Sequence, residues 1–309
     1  MNVIQRAALA AALSVVASAT FAQSANPAQV ALLRWYPSTG SQAVVPVTNA
    51  LGIAFDGEHM WVTSQSANAV TKIRAADGAV LGSYPTGGLP TQVAFDGANV
   101  WVTNQSAKTV SKIRASDGAL QGTYATGAAP TGIAYDGNFL WIANYYGASV
   151  SRIRASNGTL AGTYAVGANP LSVAFDGTCI WVANSGSGTV SRLSAATGAT
   201  IGTYSVGAVN GVAFDGSNIW AVGGSTATRL RASDGVVLGT TPVGNGAYAA
   251  AFDGAHVWTA NGTDHTVTKI LASTGAVVGT FVPPGTGPNY LAFDGANMWA
   301  TVNTGAAKL

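Results

Sequence analysis

Asp264 and His265 stand side by side in a polar stretch of the chain. An acid beside an imidazole is the pairing expected of a general base or a metal ligand. No second histidine or glutamate lies near them in sequence, so the pair stands alone as a chemical candidate. His59 and His256 sit in equivalent D-G-x-H turns, where Asn99 and Asn297 stand in other copies of the same motif, and both read as turn residues. The acids sort almost completely. Asp56, Asp96, Asp136, Asp176, Asp215, Asp253 and Asp294 recur in one repeated turn, and Asp77, Asp117 and Asp234 recur in a second. Glu58 and Asp264 are left over. A ring of aspartates suggests calcium, but calcium needs six to eight oxygens within about 2.6 Å. Turns on separate repeats do not converge so closely, so the acids read as turn caps. Cys179 is the single cysteine, cannot form an internal disulfide, and reads as a packing residue. There is no G-x-S-x-G elbow, P-loop or zinc-ligand spacing. No catalytic residue, metal site or cofactor is expected.

The elements that position these residues form an array. The motif AFDGANVWVT of the second copy, beginning at Ala94, recurs with starts at Ala54, Ala134, Ala174, Ala213, Ala251 and Ala292. Its tryptophan recurs at Trp61, Trp101, Trp141, Trp181, Trp220, Trp258 and Trp299, in steps of 40, 40, 40, 39, 38 and 41 residues. Each copy offers four short apolar or β-branched runs. Asp-Gly or a similar pair separates the first run from the second and the third from the fourth, a strong tight-turn signal. Four strands per period near 40 predict an all-β, seven-bladed β-propeller of four-stranded blades. The fifth copy is shorter, with nine residues from Trp220 to Arg229 where the others have eleven. The bases lie mostly in third-strand positions, such as Lys72, Arg74, Lys112, Arg114, Arg152 and Arg154, on blade surfaces or pairing between blades.

The chain ends complement each other. Arg34 precedes Trp61 by the same 27 residues that separate Arg74 from Trp101. The N-terminal strands are therefore expected to pair with the C-terminal repeat and close the ring, which leaves no open edge there. Two segments compete for the third strand of that blade, Val30–Trp35 and Ala306–Leu309. Val30–Trp35 is favoured because it runs directly into the fourth strand.

Residues 1–22 read as a signal peptide: Arg6, an apolar stretch too short to span a bilayer, and Thr20-Phe21-Ala22 before the cleavage point. Residues 23–29 then form a flexible N-terminus and residues 30–309 one propeller domain. Export to the periplasm or outside the cell follows. Without Arg6 the chain carries 13 bases and 12 acids, a net charge of +1. Nothing in that balance favours nucleic acid or anionic membrane. No other stretch is long enough to cross a membrane, and a monomer is expected.

A ligand site in a symmetric array should fall where the symmetry breaks. At the channel mouth the departures are Gln92, Asn210, Tyr248, Asn289 and Tyr290 before the first strands, Tyr145 and Tyr146 in the third loop, and Asp264 and His265 in the sixth. Tyrosines and amides suit a protein, a peptide or a neutral, sugar-like small molecule. Asn104, Asn144, Asn184 and Asn261, by contrast, recur and are expected to bond loop backbone.

The run Trp101-Val102-Thr103-Asn104, then Thr109-Val110-Ser111-Lys112-Ile113 and G-x-x-P at Gly127–Pro130, resembles the YVTN-type β-propeller repeat. It is also similar to streptogramin lyases and NHL-like propellers. The resemblance spans about Val30 to Leu309 and implies the fold; one fold carries many activities. Streptogramin lyases use His and Glu residues near magnesium, whereas Glu58, the one glutamate here, lies in a turn. The expected function is therefore a non-enzymatic binding or interaction scaffold, with a metal-assisted lyase or hydrolase as the alternative.

Overall fold

The computed structural model describes residues 44–309. Each repeat folds as its turn chemistry dictates. In the second repeat the strands are Pro90–Phe95, Asn99–Asn104, Thr109–Arg114 and Leu120–Ala125, paired antiparallel in that order. Asp96 makes the first turn: its Oδ1 accepts the N–H groups of Ala98 and Asn99, at 2.9 and 2.6 Å, while Gly97 takes φ 100°.

The strands form six sheets, which corrects the expectation of seven four-stranded blades. Five sheets have four strands. The sixth has six, because the fifth and sixth repeats are fused. The short spacing after Trp220 leaves no room for a loop, so Asn218–Arg231 runs through as one strand. Val237–Phe252 likewise continues from the fifth repeat into the sixth. Gly224, at φ 58°, takes the corner and pairs with Ala247, joining the two.

The chain ends share one sheet. Its order is Leu291–Phe293, Met298–Val302, Gly305–Lys308 and, outermost, Val44–Pro46, with Val44 opposite Ala307 and Pro46 opposite Gly305. Gly305–Lys308 therefore holds the third position, not Val30–Trp35, which lies outside the described residues, as do the signal peptide and residues 23–29. The register shows why. Lys308 pairs with Trp299 as Lys72 pairs with Trp61, so it occupies the base position of the repeat.

Neighbouring repeats are held by the same parts around most of the ring, the exception being Lys269, which lies 4.0 Å from Asp253 of its own repeat. Lys72 Nζ lies 5.4 Å from the Trp61 ring centre and donates to the Ala115 carbonyl of the next repeat at 2.7 Å. Lys112, Arg152, Arg192 and Arg229 reach forward in the same way to Ala155, Ala196, Ser233 and Ala272. Lys308 completes the circle by donating to the Ala75 carbonyl at 3.1 Å. A desolvated cation over an indole contributes up to about 2 kcal/mol. Threonine hydroxyls stitch the inner strands: Thr63 donates to the Thr91 carbonyl, Thr103 to that of Thr131, and Thr301 across the closure to that of Leu51. No helix among the described residues is long and apolar enough to cross a membrane.

Candidate functional site

The repeated aspartates are committed to the scaffold. In each of the seven motifs the aspartate Oδ2 accepts the indole N–H of the tryptophan five residues on, at 2.7–2.8 Å. Burial works to raise the carboxyls of Asp56, Asp96 and Asp253, but the bonds from the indole and two backbone N–H groups outweigh it, so these three sit below the ordinary value. Asp77, Asp117 and Asp234 pair with Arg74, Arg114 and Arg231 on exposed turns. His59 and His256 lie 3.3 Å from their turn aspartates, as turn residues should. Among the described residues no group of three His, Cys, Asp or Glu side chains is placed to hold a metal ion.

The opposite end of the strands forms the mouth. There the loop after the second strand bonds the segment before the first: Gln105 N–H donates to Leu89, Tyr145 to Ala129, Ser185 to Asn169 and Gly262 to Gly246. Asn104 braces this face. Its amide donates to Thr109 and Ser111, and its Oδ1 accepts the Gly87 N–H. Asn144 repeats the set.

Of the nine candidates, the structure brings four tyrosines into two pairs, Tyr248 with Tyr290 and Tyr145 with Tyr146. Tyr248 and Tyr290 meet edge to face with ring centres 5.3 Å apart, Tyr290 buried and Tyr248 half-buried. Burial pushes the Tyr248 phenol up; the Tyr290 hydroxyl opposes this, and Tyr145, from the third repeat, adds to it. Tyr290 is raised well above its ordinary value, by burial first and by Tyr248 second. Tyr145 and Tyr146 form a single 3-10 turn, Tyr145–Gly147, with rings 5.0 Å apart, and Tyr146 is 76% exposed.

The other candidates serve local structure. Gln92 Oε1 accepts the Val93 N–H, and Asn210 Nδ2 donates to the Ala247 carbonyl of the next repeat at 3.0 Å. Asn289 donates its backbone N–H to Thr301. Asp264 accepts the Asn245 N–H at 2.7 Å, which holds its carboxyl below the ordinary value. His265 Nδ1 accepts the Gly287 N–H at 3.0 Å. This is a scaffold bond, because Asn68 Oδ1 accepts the Leu89 N–H at the same place in the first repeat. Both residues have positive φ, 56° and 50°, where Asn and His are enriched. The Asp264–His265 pair is thus two separate loop latches.

A cavity of about 360 Å³ opens on the mouth between the second and third repeats, lined by Leu89, Gln105, Ser106, Lys108, Ala128, Ala129 and Tyr146. Of these only Tyr146 was legible as a candidate. Lys108 had a signal: it is the one base, among the described residues, outside the third-strand positions.

No family model and no curated protein matches the chain. Solved structures similar to it include hydrazine synthase of Kuenenia stuttgartiensis, 18% identical with TM-score 0.76 over 89% of this chain and 99% of that one. A streptogramin B lyase is 16% identical with TM-score 0.74, over 86% and 95%. Virginiamycin B lyase from Staphylococcus aureus is 18% identical with TM-score 0.73, over 84% and 94%. These likenesses establish the β-propeller fold. They extend to the fold alone, and the YVTN and NHL names find no family match.

Proposed function

We propose that the protein is an exported, non-enzymatic binding scaffold whose ligand face is the mouth around Tyr145, Tyr146, Tyr248 and Tyr290. One observation carries this reading. Every acid except the exposed Glu58 is bonded to an indole, a guanidinium or a turn N–H, and Asp96, which lines a cavity, has both its oxygens engaged by Trp101 and the turn. The aromatic mouth supports it further, since tyrosines offer flat area with a polar tip at small entropic cost. Export rests on Arg6 and the short apolar stretch that follows it. The lyase alternative draws on the fold likeness, but Asp264 and His265 are both engaged as latches.

Binding is tested by titrating neutral oligosaccharides and short peptides into the pure protein. Tyr145→Ala should weaken a bound ligand about tenfold, as loss of an aromatic contact does, with the melting temperature little changed. Turnover of any such compound that is lost in His265→Ala would overturn the reading.

A further inference from the structure

The cavity beside Tyr146 differs chemically from the rest of the mouth. At this rung of the first and sixth repeats the loop residue is an acceptor, Asn68 or His265, which ties down the N–H of Leu89 or Gly287. The second repeat has Lys108 there, at φ 55°. Lysine has three donors and no acceptor, so it cannot make the latch to the equivalent N–H, that of Ala129. Lys108 and Ala129 both line the cavity, and Ala129 is itself at φ 55°. Asn68, Ala148, Gly188 and His265 hold the same left-handed conformation in their repeats, so the departure at Lys108 is its ammonium and not its backbone. Tyr146 stands beside them, exposed and braced by Tyr145 at 5.0 Å. Gln105 and Ser106 add an amide and a hydroxyl.

We infer that this cavity binds one acidic sugar unit, a uronate, within a saccharide. The carboxylate meets the Lys108 ammonium and the Ala129 N–H. The ring's C–H face lies on Tyr146, and its hydroxyls meet Gln105 and Ser106. A volume of about 360 Å³ falls in the range of small-molecule sites and has room for a sugar ring. An ammonium beside a backbone N–H selects an anion, and an exposed tyrosine with an amide selects a hydroxylated ring over a wholly apolar one. This rests on the mouth being the ligand face and names the chemistry of one part of it.

The test uses trigalacturonate and its neutral methyl ester as probes, titrated calorimetrically into the full chain. The wild type should bind the acid at least tenfold more tightly than the ester, the effect expected of one charge-assisted bond. Lys108→Asn should erase that preference while raising the melting temperature, because Asn tolerates positive φ and restores the latch that Asn68 makes. Tyr146→Ala should weaken both probes. Equal binding of acid and ester by the wild type would overturn the uronate and leave the binding face standing. A preference that survives Lys108→Asn would overturn the site. Binding of neither probe would overturn the acidic-sugar assignment, and the Tyr145→Ala titration with neutral ligands would still decide the broader reading.

Discussion

The two ends of the strands obey opposite rules. At the turn end the same bracket of aspartate, glycine and tryptophan is built seven times, with indole bonds of 2.7–2.8 Å throughout. At the mouth the loops vary: a polar turn in the second repeat, a tyrosine-bearing 3-10 turn in the third, and no loop in the fifth. A feature kept in every repeat serves the ring, since each repeat needs it to bury its own face and to hold its neighbour. A departure in one repeat has no such duty and is free to meet a ligand. Lys108 illustrates the difference, as do His59 and His256, which look chemical and serve turns.

If that contrast is real, substitutions at the turn end should unfold the protein and substitutions at the mouth should not. Trp141→Ala removes a fully buried indole and should lower stability by about 3–5 kcal/mol, read from a denaturant titration. Tyr146→Ala, at an exposed aromatic, should stay within about 0.5 kcal/mol. Glycines sharpen the point next. At Gly158, φ 74°, an added Cβ would lie 2.0 Å from the Tyr124 ring, whereas at Gly137, φ 100°, it would meet nothing. Gly137→Ala should lose about 1 kcal/mol for its backbone conformation. Gly158→Ala should lose roughly 1–3 kcal/mol more, since the ring must move.

The pH profile tests Asp56, Asp96 and Asp253. Their folded pKa values are depressed, so their contribution is present above the unfolded value, near 3.9, and is lost as pH falls through the folded values. Thermal melts should be level from pH 8 to about 5 and drop below about pH 4. A profile that instead falls between pH 7 and 6 would move the weight to histidines. The smallest effect is expected at the sixth loop. His265→Asn keeps the latch by the Asn68 precedent and should change stability by less than about 0.5 kcal/mol. A large loss there would show that the imidazole does something an amide cannot.

Much of this was legible in the residues. Period, turn pairs and the tryptophan position predict a propeller because each is a local rule: Asp-Gly forms its turn wherever it stands, and alternation along a strand sets its faces. The sorting of acids into turns was legible for the same reason. The site was legible only in part. Tyr145, Tyr248 and Tyr290 stand out as departures, but the contact of Tyr248 with Tyr290 depends on how the sixth and seventh repeats face one another around the ring. The Asp264–His265 pair misleads because adjacency in sequence is not adjacency of side chains: one reaches back to Asn245 and the other forward to Gly287.

The sequence by itself determined the repeated unit, its turns and the order of its strands, since those follow from contacts between residues close in the chain. Only the tertiary structure decided how the repeats are partitioned among sheets, which segment fills the closing strand, and that Lys108 faces a cavity. Those outcomes turn on competition between distant segments for the same partner. Gly305–Lys308 takes its place because Lys308 comes into register with Trp299 and reaches Ala75, 233 residues away in the chain.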